Sequence, residues 1–136
     1  MAITLKLEIV TPEAKVFSDD VDMVTLTAAE GEMGILPNHV PLMTQLVAGE
    51  VVARKGDETF FLAVGDGFVQ VTGDRVAVLT DMAINAKDID EAQAEEAVRR
   101  AESRMAEKMS DEEAALVQAA LVHATTQLKV KRQHRK

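Results

Sequence analysis

A β-rich N-terminal domain followed by an Ala-rich antiparallel pair of helices is the architecture this sequence predicts. Three observations carry that reading. The chain opens on strict apolar/polar alternation. Short runs of β-forming residues then recur every 8–12 residues between turn-forming ones, up to Thr80. From Lys87 onward Gly and Pro vanish, and Ala, Glu, Arg and Lys dominate. The first two features belong to an all-β sandwich or barrel, the third to helix.

Ile3, Leu5, Leu7 and Ile9 alternate with Thr4, Lys6 and Glu8, with Val10 closing the run, so this strand buries one face. Thr11-Pro12-Glu13 makes a turn, Lys15-Val16-Phe17 resumes extended chain, and residues 21–27 form a further β-rich run. Gly31, Gly34, Pro37 and Pro41 punctuate short extended pieces and turns. Strand-like runs follow at residues 42–47, 51–54, 59–64, 68–72 and 76–80. Gly49, Lys55-Gly56-Asp57, Gly65-Asp66-Gly67 and Gly73-Asp74 stand between them and read as hairpin turns. Asp88, with Glu91 three residues on, predicts a helix start, and that helix should run to about Lys108. Its stripe is Ala94, Ala97, Val98, Ala101 and Met105. Ser110 with Glu113 is a capping box for a second helix striped by Val117, Ala120, Leu121, Ala124 and Leu128. So short a break makes the helices antiparallel. Stripes of Ala bury little area, since a Leu is worth about 1.5–3 kcal/mol and an Ala far less, so the hairpin should be held weakly. The resulting domains are residues 1–86 and 87–136.

Composition narrows the function. Of 136 residues none is Cys, Trp or Tyr, which excludes disulfides, thiolate nucleophiles and Cys-bound metal and calls for an aliphatic core. The start of the chain alternates, unlike a signal peptide, and no window approaches the 18 or so apolar residues of a membrane span. Net charge is −8, but unevenly placed. All 23 acidic residues lie at or before Glu113, where the balance is −13, while residues 114–136 carry five bases and no acid. The acidic body argues against a nucleic-acid partner. The basic end is either solvated charge complementing a helix C-terminus or a tail that seeks an acidic surface.

Catalytic chemistry finds no foothold. His39, His123 and His134 lack the spacing of a helical metal site, so no metal is expected. Glu95-Glu96 followed by Arg99-Arg100 is i,i+4 pairing on an exposed helix face, which also carries Asp90-Glu91. Gly65-Asp66-Gly67 lacks the following helix and the Lys of a phosphate loop.

The segment Glu30-Gly31-Glu32-Met33-Gly34-Ile35-Leu36-Pro37-Asn38-His39-Val40-Pro41-Leu42 is distinctive. With Val10-Thr11-Pro12-Glu13, Val16-Phe17-Ser18, Gly65-Asp66-Gly67-Phe68-Val69-Gln70-Val71, Val76-Ala77-Val78-Leu79 and Ile89-Asp90-Glu91-Ala92, it closely resembles the epsilon-subunit family of F-type ATP synthases. The resemblance implies a flattened β-sandwich of about ten strands with a C-terminal two-helix hairpin. It also implies a non-catalytic rotor subunit at the foot of the central stalk. The sandwich would touch the gamma subunit and the c-ring, and the hairpin would either fold on it or extend toward the catalytic beta subunits and oppose ATP hydrolysis. The c-ring contact carries over to Gly31, Glu32, Met33 and Gly34 and on to His39, where Gly and Pro would fix a rigid projecting loop, Gly34 with φ > 0, and Glu32 would offer a charge. For His39 the alternative is a hydrogen bond within its own loop.

Some family members hold a regulatory nucleotide at Ile/Leu-Asp-x-x-Arg-Ala with further Arg on the second helix. Ile89, Asp90 and Ala94 match, but Gln93 replaces the Arg, and His123 and Gln127 stand where bases would. Gln cannot grip phosphate as a guanidinium does, so ATP should bind weakly or not at all, and no cofactor is expected. Lys129, Lys131, Arg132 and Arg135 would form an inhibitory tail. The expected place is the cytoplasmic side of a bacterial inner membrane, reached only through the complex, with a plastid-encoded homologue as the alternative. A free β-sandwich module that binds a nucleotide is the competing function.

Overall fold

The computed structural model describes residues 3–134. Ten strands precede two helices: β1 (Leu5–Val10), β2 (Lys15–Val21), β3 (Met23–Ala28), β4 (Gly31–Ile35), β5 (Leu42–Leu46), β6 (Gly49–Lys55), β7 (Glu58–Val64), β8 (Gly67–Thr72), β9 (Arg75–Thr80) and β10 (Ala83–Asn85). A 3₁₀ turn, Ala86–Asp88, leads to α1 (Glu91–Met105) and α2 (Asp111–His134).

The strands form one hydrogen-bonded path, β10-β7-β6-β3-β5-β8-β9-β1-β2, with β4 paired on β3. β3 is the hinge of this path. Its first half pairs with β6 (Met23↔Arg54, Thr25↔Val52), and its end pairs with β5 (Ala28↔Leu46). The sheet thereby folds into two layers facing each other across one core. Leu5, Leu7 and Ile9 of β1 and Val69, Val71, Val76 and Val78 from one layer meet Val24, Leu26, Val51, Leu62 and Val64 from the other. This core is aliphatic throughout, with Phe17 and Phe60 edge-to-face at its margin, centroids 5.3 Å apart.

Two expected hairpins are absent. Gly49 does not join paired strands, and Gly65-Asp66 crosses between layers, because β7 pairs with β6 and β10 whereas β8 pairs with β5 and β9. Turn residues mark where a chain reverses; which strands then pair is decided by the core they share. β1 lies parallel to β9 (Lys6↔Arg75 to Val10↔Leu79) and antiparallel to β2. Lys15 and Arg75 both reach Glu8, at 2.8 and 3.0 Å. The Lys15 hydrogen bond, foremost, holds the Glu8 carboxyl below the ordinary carboxylate range. Its stabilisation is therefore present above that range and is lost as acid protonates it.

β7 has no solvent face along Leu62-Ala63-Val64. Leu62 and Val64 point into the sandwich, while Ala63 joins Ala86, Ile89 and Val130 in a second, small core flanked by Phe61 and Ile84. Val130 brings α2 onto the sheet there. Between the helices the buried residues are Ala94, Ala101 and Ala124, so the hairpin seam is thin, as its stripes imply. Met105, placed on the α1 stripe by spacing, is exposed, because near the hairpin tip the two helices have no third element to cover them. The N-cap of α1 is Asp90, whose side chain accepts from the Gln93 N–H at 3.1 Å. Asp88 belongs instead to the preceding 3₁₀ turn. The Ser110 box forms as expected: its hydroxyl accepts from the Glu113 N–H at 3.2 Å and donates to the Glu113 carboxylate at 3.1 Å.

Candidate functional site

Gly31–Gly34 is not a loop but most of β4, registered on β3 through Thr27↔Glu32 and Thr25↔Gly34. Gly31 is the residue that needs its freedom, at φ 124°. Gly34 is outside the left-handed region; a Cβ there would meet Met23 Cε at 2.9 Å, so its requirement is space and not the expected backbone conformation. The projecting part is residues 36–41. Asn38 adopts φ 68°, and its N–H donates to Asp74 Oδ1 at 3.2 Å, which ties the loop to the β8–β9 turn. His39 Nδ1 donates to the Val40 carbonyl at 2.7 Å, a bond within its own loop. Glu32 and His39 thus sit near opposite ends of β4. Met33 is half-buried against the main core.

Around this loop Leu36, Val40 (71% exposed) and Met43 (67%) stand in the open. Cross-strand pairing continues the apolar character over the outer face of β8, β9 and β1. Phe68 (56% exposed) is opposite Leu79 (49%), and Leu79 is opposite Val10. Val10, Pro12, Phe68 and Leu79 line an open groove of about 460 Å³. These side chains give one face of the sandwich a run of exposed apolar surface.

The helix-start motif lines another groove, of about 370 Å³, where Asp90, Gln93 and Ala94 face His123 and Gln127. Ile89 is withdrawn into the second core. The fold brings together the positions that sequence singled out, but no Lys or Arg lines the groove. We expect calorimetric titration of the chain with ATP to show dissociation constants in the millimolar range or no heat. Micromolar binding would overturn the argument from the missing guanidinium.

The basic end of the chain is helical, not frayed, through His134. Arg132 reaches back across the hairpin to Glu91 (3.0 Å) and Glu95 (2.8 Å), and Lys131 donates to the Ala86 carbonyl at 3.1 Å. Glu91 is thus an inter-helix partner, while Arg99 and Arg100 take Glu95 and Glu96 as their spacing predicts. Lys129 is exposed, its side chain makes no hydrogen bond or ion pair among the described residues, and it lines a cleft with Glu32 and Glu50. Arg135 lies outside the described residues.

Sequence reasoning missed the polar contacts that fasten α2 to the sheet. His123 Nε2 is 3.1 Å from Asp81 Oδ2, and His134 bonds Glu50 while stacking on Phe61 at 3.7 Å between centroids. One signal was available. Phe60-Phe61-Leu62-Ala63-Val64 is continuous where a one-faced strand would alternate, so something had to cover its second side. Among the described residues no group of three or more His, Cys, Asp and Glu could hold a metal ion, and no helix is long and apolar enough to cross a membrane.

Residues 4–86 match the family described as the β-sandwich domain of the ATP synthase delta/epsilon chain, and residues 87–132 match its long α-helix domain. The chain is 54% identical over 101 residues to the ATP synthase epsilon chain of Dehalococcoides mccartyi, covering 74% of this chain and 72% of that one. It is 46% identical over 105 residues to that of Desulforamulus reducens, covering 77% and 80%. Its fold superposes on a chain of the Euglena gracilis mitochondrial ATP synthase with a TM-score of 0.76 at 20% identity, over 98% of this chain and 84% of that one.

Proposed function

The chain belongs to the ATP synthase delta/epsilon family, and from that premise we propose that it is a non-catalytic central-stalk subunit of an F-type ATP synthase. In this reading it couples c-ring rotation to ATP synthesis and restrains hydrolysis through its helices. The observation that carries the proposal is the continuous match of both family domains across residues 4–132. The exposed apolar strip of Met43, Phe68, Leu79 and Val10 supports a sandwich that docks on gamma, since such a strip calls for a large partner. The braced loop of residues 36–41, with Gly31, Glu32, Met33 and Gly34 on the neighbouring strand, is the surface offered to the c-ring. Membrane attachment runs through that complex, on the cytoplasmic side of the inner membrane. Affinity-tagged chain expressed in a bacterial host carrying the matching operon should bring down gamma and the catalytic head. Recovery of the chain alone would leave a free regulatory module as the better description.

Within this reading the tail divides by residue. Arg132 already spans two carboxylates in the closed hairpin, whereas Lys129 is free to meet an acidic segment of the beta subunits. Arg132→Gln should therefore deepen inhibition of ATP hydrolysis, and Lys129→Gln should relieve it, each by up to about fivefold. ATPase rates of the reconstituted complex at low and high salt decide the matter. Equal shifts in one direction would mean that the tail acts only as bulk charge.

A further inference from the structure

Where the end of α2 meets the sheet, a cavity of about 700 Å³ carries a charge opposite to that of the chain as a whole. Lys87 of the 3₁₀ turn and Lys131 of α2 line it, and Asp57 of the β6–β7 turn is the one carboxylate among the described lining residues. Two positive charges against one negative leave +1, in a chain whose net charge is −8. We propose that this cavity is a phosphate-binding site that clasps the hairpin to the sandwich.

Both ammonium groups have donors to spare. That of Lys87 makes no hydrogen bond or ion pair among the described residues. That of Lys131 gives one of its three N–H groups to the Ala86 carbonyl at 3.1 Å, which fixes it at the cavity wall and leaves two. Elsewhere Lys15, Lys55, Arg75 and Arg132 each take a carboxylate at 2.8–3.0 Å. Acids outnumber bases 23 to 15, yet these two lysines share a cavity and pair with none of them. Thr59 of β7 and Gln133 of α2 add a hydroxyl and an amide to the lining. His134 is engaged with Glu50 and stacked on Phe61, so it serves as a wall.

Lysines act as point charges without the fork of a guanidinium, so the pair suits a compact phosphoryl group and should hold it with a dissociation constant of about 1 mM. The groove at Gln93 is of the reverse character, lined by Asp88 and Asp90, and forms a separate site. Thr59 belongs to the sandwich, Lys87 to the connector, and Lys131 and Gln133 to α2, so the cavity is complete only while α2 lies on the sheet. By linkage a bound phosphate favours closure, by about tenfold at ten times its dissociation constant. That consequence rests on the proposed mobility of the hairpin and supplies its regulation. Binding is measured on the isolated chain, so its failure is separate from that of the rotor reading, which co-purification decides.

The amide NMR spectrum of the full chain is followed in separate titrations with sodium phosphate, sodium pyrophosphate and ATP, each against sodium chloride of equal ionic strength. We expect saturable shifts at Thr59, Lys87 and Gln133 with pyrophosphate, half complete at about 1 mM and absent with chloride. The same shifts with all three anions would assign recognition to a single phosphoryl group; their absence with phosphate alone would assign it to a diphosphate. Lys87→Gln removes no side-chain bond of the closed chain and should weaken binding about fivefold. Asp57→Asn should tighten it about threefold, a gain that misfolding cannot produce. Because the chain has no Cys, Val130→Cys places a unique thiol under the closed helix, and its protection from labelling should rise about tenfold in about 10 mM pyrophosphate. Shifts that do not saturate, shifts gathered at Asp90 and Gln93 instead, or binding indifferent to both charge variants would overturn the site. Protection at position 130 that ignores the anion would overturn the clasp.

Discussion

Ending the chain after Ala86 is expected to leave a folded sandwich that still binds gamma and an ATP synthase head freed from inhibition. The buried residues of the main core all come from strands β1 to β9, with Ala83 of β10 at its margin and no residue from either helix. What is lost is the second core, where Ile89 and Val130 are the large contributors at about 1.5–3 kcal/mol each. That is too little to unfold a domain holding fifteen buried Leu, Ile and Val, yet enough to keep a hairpin closed most of the time. Circular dichroism of the fragment should show a β-type spectrum and a cooperative melt, and hydrolysis by the reconstituted head should rise severalfold over that with the full chain. A fragment without a cooperative melt would mean that β7 cannot do without its cover. A folded fragment that leaves hydrolysis unchanged would remove the inhibitory role from the hairpin.

The largest effect of any single substitution should come from Gly67→Ala. A Cβ at Gly67 would lie 1.9 Å from the Leu79 carbonyl oxygen and 2.9 Å from both the Leu79 carbonyl carbon and Thr80 Cα. All three are backbone atoms of the paired strand, so neither β8 nor β9 can give way without breaking register. The cost should exceed ordinary overpacking, at about 3 kcal/mol or more, lowering the melting temperature by roughly 10 °C or more. Gly65→Ala is the informative contrast. There the intruding contact is Asp81 Oδ1 at 2.0 Å, a side-chain atom that can swing aside, so the sandwich should tolerate the change. Thermal melts of the two variants side by side give the answer. Equal melting temperatures would show that the β8–β9 pairing yields far more readily than its geometry implies.

These glycines illustrate what a sequence displays. Alternation in residues 3–10, the caps at Asp90 and Ser110, and the Arg99 and Arg100 pairs are local features, and each is legible because its partner lies within four residues. The crossover at Gly65, the layer change at β3 and the pairing of His134 with Glu50 join residues remote in the chain. Nothing in a local pattern names such a partner. Gly34 shows a subtler limit: a glycine in sequence signals a constraint without saying whether φ or space imposes it, and here it is space. The motif positions Asp90, Gln93, His123 and Gln127 were found through resemblance, and the fold does gather them in one groove. Asp81, the partner of His123, and Glu50, the partner of His134, carry no motif at all.

The parallel pairing of β1 with β9 also fixes an order of events during synthesis. Leu5, Leu7 and Ile9 leave the ribosome before the rest of the sandwich, and β2 can pair with them almost at once, but the strand on their other flank is made about seventy residues later, several seconds at about 5–20 residues per second. Until then a two-stranded ribbon with one greasy side has no cover, too small to be stable alone. Closure of so distant a contact is slow for any chain, which makes the interval before residue 79 emerges the time when a nascent copy is most exposed to its neighbours.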